Sequence, residues 1–141
     1  MGRIIAIDYG KVRTGLAVTD PLRIIASPLT TVETKQLEKY LTEYFSKEDV
    51  DTIVIGKASK MDGSPSETMR YITPLAGRLR HSYPAKKIVL FDERFTSVMA
   101  KHAIHESDLS RSAKQQKSLV DKVAAAIILQ SYMESVNFCS L

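Results

Sequence analysis

The sequence predicts an α/β fold: a mixed five-stranded sheet, an antiparallel meander of three strands followed by two parallel strands, with helices on both faces. Three observations predict it. The N-terminal part holds three apolar or β-branched runs joined by short turns. After them, helical periodicity alternates with short apolar runs. The runs Ile4-Ile5-Ala6-Ile7 and Ile53-Val54-Ile55 are apolar throughout, as strands covered on both faces are.

Residues 3–8 read as a buried strand closed by Asp8, with Gly10 to Arg13 as the turn after it. Residues 14–19 read as a second strand. Asp20-Pro21 then turns the chain into a third, residues 24–32, where Pro28 cannot donate to a ladder and calls for an edge position or a bulge. Leu37, Tyr40, Leu41, Tyr44 and Phe45 recur at helical spacing, which predicts an amphipathic helix over 34–47 with Thr34 as its N-cap. Its aromatics suit a core or rim better than a base-stacking platform.

Residues 53–56 form the fourth strand and 57–63 a polar loop. Ser64-Pro65-Ser66-Glu67 combines a capping-box pattern with proline in the first turn. The helix it starts should reach about Ser82, kinked at Pro74. Residues 87–91 are the fifth strand, followed by Asp92-Glu93. A short helix from after Thr96 to about His105, a polar mobile stretch over 106–115 and a last helix over 116–135 complete the order.

The 141 residues suit one domain spanning 1–141. No apolar run approaches the roughly 18 residues needed to cross a bilayer, and the start has no signal-peptide layout. The lone Cys139, expected in a C-terminal tail, cannot form an internal disulfide. A cytoplasmic setting is the natural expectation. The formal charge of +4 fits a polyanionic partner without requiring one.

Chemistry concentrates on three acids. Asp8 closes an apolar strand, where an unpaired carboxylate is costly. Glu93 follows the last strand by two residues. Asp121 shares its helix face with Ala124, Ala125 and Ile128, at i+3, i+4 and i+7. Converging carboxylates offer the oxygen ligands that Mg²⁺ or Mn²⁺ prefer, and such ions activate water for phosphodiester cleavage. Each acid also has a plainer reading. Asp8 can cap the Tyr9-Gly10 turn, Glu93 can pair with Arg94, and Asp121 can pair with Lys117 or Lys122. Arg13 is either a phosphate fork or an exposed turn arginine. His81, His102 and His105 have no metal-ligand spacing and read as surface residues.

The string Asp8-Tyr9-Gly10-Lys11-Val12-Arg13-Thr14-Gly15 resembles the Asp-x-Gly-x-x-Arg-x-Gly opening of the YqgF (RuvX) family, Holliday-junction resolvases of RNase H-like fold. Lys60-Met61-Asp62-Gly63 resembles that family's Asn-Met-Asp-Gly loop. Asp92 to Ser97 resembles its Asp-Glu-Arg block, and Asp121 to Gln130 its final helix. The four blocks stand in the family's order over residues 3–134. The resemblance implies a metal-dependent nuclease acting on Holliday junctions or on the 5′ end of precursor 16S ribosomal RNA. It implies Asp8, Glu93 and Asp121 as catalytic metal holders, with Arg13 and Arg94 as basic positions near them. One departure stands out: the family's Gly-x-Pro after the fourth strand is Gly56-Lys57-Ala58 here. Lys57 and Lys60 in that loop are candidate phosphate contacts, against the plainer reading of solvated charge.

The expected partner is structured RNA or branched DNA, bound by a monomer or a homodimer, with no membrane. Two rival readings differ in class. One is a non-catalytic nucleic-acid-binding or ribosome-assembly factor on the same fold. The other is a phosphotransferase of the actin and sugar-kinase type, which needs a second such domain.

Overall fold

The computed structural model describes residues 2–57, 69–92 and 113–140, with Lys57, Asp92, 113–121 and 137–140 as backbone. The described strands are β1 (Arg3–Asp8), β2 (Arg13–Thr19), β3 (Ala26–Glu33), β4 (Val50–Lys57) and β5 (Lys87–Asp92). Their order across the sheet is β3-β2-β1-β4-β5. β1 pairs antiparallel with β2, and β2 with β3, while β1–β4 and β4–β5 are parallel. The mixed sheet expected from the sequence is therefore present, meander and parallel pair included.

The described helices are α1 (Leu37–Lys47), α2 (Met69–Ser82) and α3 (Ala113–Ser140). Strand alternation sends Ile5, Ile7, Ile53 and Ile55 to one face, where they meet Leu37, Leu41, Ile72, Leu75 and Leu79 of α1 and α2. Ile4, Ala6 and Val54 face the other way, onto Ala125, Ile128 and Leu129 of α3. Both faces of β1 are thus covered, which is why its run has no polar alternation. Each buried isoleucine contributes roughly 1.5–3 kcal/mol by leaving water. Alanines at 124 and 125 carry little side chain, so α3 lies close against the sheet.

β3 is the edge strand, and it answers the proline twice over. Its pairing with β2 shifts between Leu16↔Thr30 and Ala17↔Pro28, leaving Leu29 as an extra residue beside Pro28. β3 starts at Ala26, two residues later than expected, because Ile24 and Ile25 belong to the preceding turn. Both donate their backbone N–H to the Asp20 carboxylate, at 2.7 and 2.9 Å. The bond from Ile25 lowers the Asp20 carboxyl most; desolvation opposes it, and with the further bond from Ile24 the carboxyl is held below its usual range. In the same turn Arg23 takes a left-handed φ of 58°. Its guanidinium donates to the Gly2 carbonyl at 2.7 Å and pairs with Asp51, fastening the turn to the N-terminus.

Two local expectations give way to tertiary contacts. Thr34 opens a 3-10 turn, Thr34–Gln36, and α1 begins only at Leu37. The cap position of that turn is Glu33, with no side-chain cap bond, and the Thr34 hydroxyl is engaged elsewhere. α3 starts at Ala113 and runs to Ser140, so Cys139 lies on a helix and not in a tail. Pro74 sits inside α2. The expected N-terminus of α2, the 57–63 loop beyond Lys57, the short helix after Thr96 and residues 106–112 lie outside the described residues. Tyr40, Tyr44 and Phe45 line the rim of the α1 core as expected, with Phe45 edge-on to Tyr83 at 5.0 Å. Burial pushes the Tyr40 and Tyr44 hydroxyls up.

Candidate active site

β1, β4 and β5 run parallel, so their C-terminal ends share one edge of the sheet. Asp8 ends β1, Lys57 ends β4, and Asp92 ends β5. β2 runs the other way, so its first residue, Arg13, returns to this same edge. Asp8, Arg13, Lys57 and Asp92 thus lie along one rim.

Asp8 is half-buried and paired in register with Gly15. It follows Ala6 by two, and Ala6 faces α3, so alternation turns Asp8 to the α3 side. One register step beyond the Ile7–Ile55 pair, β4 presents Gly56, itself opposite Phe91 of β5. Having no side chain, Gly56 leaves a lane across β4 between Asp8 and β5. Phe91 belongs to the α3 layer and meets Tyr132 edge-on, with ring centroids 6.1 Å apart.

Asp121 lies on the backbone of α3, one helical turn before Ala125. Ala125 is fully buried against Ile4, Ala6, Ala17 and Val54. Glu93, Arg94 and Lys60 lie outside the described residues, as do His102 and His105; His81 is exposed at the end of α2. Among the described residues no group of three His, Cys, Asp or Glu side chains gathers around a common point. Of the three predicted acids, only Asp8 has its side chain in that set.

The turn after Asp8 is held from outside. Thr34 donates its hydroxyl to the Gly10 carbonyl at 2.5 Å, and its backbone N–H to the Val12 carbonyl at 2.9 Å. The buried Thr14 hydroxyl lies 2.9 Å from that of Thr34. Because the Thr34 hydrogen is committed to Gly10, Thr14 is the donor of this pair. A Cβ at Gly10 would run into the Arg13 carbonyl oxygen, so the turn closes only over glycine. Sequence reasoning missed this role of Thr34, since a threonine before a helix reads locally as a cap.

Beside the turn lies a cleft of about 490 Å³, lined among the described residues by Lys11, Val12, Arg13, Glu33 and Lys35. The Arg13 Nε is buried. Lys35 and Glu33 form an exposed pair at 3.5 Å. Lys11 also reaches to 5.9 Å from the ring centre of Tyr71 on α2, a residue the sequence did not single out. Three cations against one acid make this cleft suited to an anion.

No described helix is long and apolar enough to cross a membrane. The fold resembles that of T. thermophilus RuvC, solved with a Holliday junction substrate. That match has a TM-score of 0.51 at 14% identity, and covers 93% of this chain and 96% of that one. The RNase H-like expectation for the fold therefore holds. Among curated relatives, a protein of Porphyromonas gingivalis is 50% identical over 135 residues, 96% of this chain and 98% of its own. One of Parabacteroides distasonis is 46% identical over 138 residues, 98% of this chain and 99% of its own. Both carry the name "Putative pre-16S rRNA nuclease". The family described as RuvX, Holliday junction resolvase, matches residues 2–135. With a match over nearly its whole length, and relatives of the same extent, the chain belongs to the RuvX family and is a nuclease, a hydrolase acting on ester bonds.

Proposed function

We propose that this nuclease, a single domain over residues 1–141, cleaves structured nucleic acid in the cytoplasm with the help of Mg²⁺ or Mn²⁺ held by Asp8, Glu93 and Asp121. Its substrates are the 5′ end of precursor 16S ribosomal RNA, branched DNA, or both. The observation that carries the reading is the position of Asp8: at the C-terminal end of a doubly covered strand, turned toward the helix that bears Asp121. The crevice beyond the C-terminal strand ends is the usual ligand site of open α/β sheets.

The donor chemistry fits a hard divalent ion, since all three residues offer carboxylate oxygens. β1 and β5 are two inter-strand steps apart, about 10 Å. The lane at Gly56 leaves that interval without a side chain. Phe91, two residues before Glu93 in the sequence, belongs to the α3 layer, and Glu93 itself lies outside the described residues. When bound, divalent ions lower the pKa of a water molecule and stabilise charge on the leaving oxygen. The chain's own acids orient that water, and the apolar layers beneath them keep bulk solvent from the floor of the site. Arg13, Arg94, Lys57 and Lys60 bind the flanking phosphates.

The test is cleavage of a precursor 16S transcript and a four-way DNA junction, with Mg²⁺ or Mn²⁺, by the wild type and by Asp8→Asn. The wild type should cut at least one substrate. The variant should be slower by at least about a hundredfold, the scale of losing one electrostatic stabiliser. Equal cutting by the variant would sink the assignment. Tight binding without any cutting by the wild type would favour an assembly factor on the same fold.

A further inference from the structure

Tyr71 is an aromatic side chain with no place in the core. Its helix neighbours Ile72, Leu75, Ala76 and Leu79 are buried, yet Tyr71 is 42% exposed. Two cations approach its ring. The Lys11 ammonium lies 5.9 Å from the ring centre and the Arg70 guanidinium carbon 6.0 Å. Both sit over the ring at the outer limit of a cation–π contact, about 6 Å. Lys11 belongs to the turn that follows Asp8 and also lines the basic cleft with Arg13 and Lys35. Next to it Val12 is 72% exposed.

An exposed ring, cations beside it and a basic cleft leading off it are the parts of a single-strand nucleic-acid site. Aromatic rings stack on any nucleobase, while the flanking cations track the backbone. We propose that Tyr71 stacks an unpaired base of the substrate, while Lys11 and Arg70 bind its adjoining phosphates. This rests on the reading that the chain binds nucleic acid, and adds that it binds an unpaired stretch beside the Asp8 rim. A duplex keeps its bases stacked on one another and has none to offer the ring.

The experiment uses the full chain, at one fixed salt concentration and without divalent metal. It measures binding of a twelve-nucleotide single-stranded RNA and of the same RNA as a blunt duplex. The single strand carries 2-aminopurine, whose fluorescence falls on stacking. Tyr71→Ala should weaken single-strand binding roughly tenfold and leave duplex binding within about twofold. It should also abolish the quenching on binding, while Tyr71→Phe and Tyr71→Trp retain both affinity and quenching. Equal loss on the two probes, or no loss on either, overturns the stacking role. If the wild type binds neither probe, the stacking site is overturned, while the nuclease reading stands or falls by the cleavage assay on the precursor transcript and the four-way junction.

Discussion

Thr34 donates its hydroxyl hydrogen to the carbonyl oxygen of Gly10 at 2.5 Å, and so ties the start of the first helical segment to the turn that follows Asp8. The Thr34 hydroxyl oxygen in turn accepts from the hydroxyl of Thr14, which has no exposed surface. Thr34→Val keeps the shape and removes both bonds. The buried Thr14 hydroxyl then loses its acceptor, at a cost of about 1–3 kcal/mol in urea unfolding. Cleavage should fall as well, because the turn carrying Lys11 and Arg13 loses its tether. Thr34→Ser should restore both. A valine variant of unchanged stability would show that the two bonds contribute nothing.

Gly56 faces Phe91 one register step beyond Ile7 and Ile55. A β-branched residue there suits the strand but fills the lane beside Asp8. Gly56 is buried, so Gly56→Val should cost about 1–3 kcal/mol by overpacking and, in the fraction that stays folded, reduce cleavage on the order of a hundredfold, as small misplacements of reacting groups do. Full activity in this variant would mean that the reaction does not use that space.

Ala125 is fully buried where α3 meets Ile4, Ala6, Ala17 and Val54. Ala125→Leu adds volume to a closed layer, which should cost about 1–3 kcal/mol. It also lifts the helix that bears Asp121. Activity measured well below the melting point should drop further than the folded fraction does. If activity simply follows that fraction, the spacing of helix and sheet is not what the site depends on.

Asp51 accepts from the Gly2 N–H at 3.0 Å and the Thr52 hydroxyl at 3.0 Å, and pairs with Arg23. Burial pushes its carboxyl up, but the Gly2 and Thr52 bonds and the Arg23 charge outweigh that and hold it below the usual range. A folded pKa below the unfolded one means stability that is complete above the unfolded value of about 3.9 and is lost as pH falls through the folded value. The side chain is 40% exposed, so solvent screens the pair. Asp51→Asn should cost up to about 1 kcal/mol at pH 7. The gap between variant and wild type should close as the solution is acidified below about pH 4. Equal gaps in melts at pH 7 and pH 3 would contradict this linkage.

Arg13 starts β2 on the Asp8 rim and lines the basic cleft. Arg13→Ala should weaken binding across all sequences and lower the slope of log K against log salt by about 1. A salt titration of oligonucleotide binding reads this directly. An unchanged slope would take Arg13 off the phosphate path.

Much of the architecture could be read along the chain. Ile4 to Ile7 and Ile53 to Ile55 announce central strands because a strand covered on both faces has no polar alternation. Pro28 announces an edge because it has no N–H to give. Asp8 stood out because a carboxylate closing such a strand is costly to leave unmatched. These are local signals, legible within a few residues.

The hydroxyl of Thr34, the late start of β3 and the aromatic contact of Lys11 are of another kind. Each depends on a partner from a different segment: Gly10 and Thr14 for Thr34, Tyr71 for Lys11. At Ile24 and Ile25, strand-forming side chains yield to two backbone N–H hydrogen bonds donated to the Asp20 carboxylate. The chain alone determined the order of elements, the doubly covered strands and the acids worth suspecting, since period and composition act over short range. Only the tertiary structure decided that Asp8 looks toward α3, that Gly56 opens a lane beside it and that Thr34 braces the turn. Those outcomes turn on which face each helix covers, and that is chosen by packing the whole sheet at once.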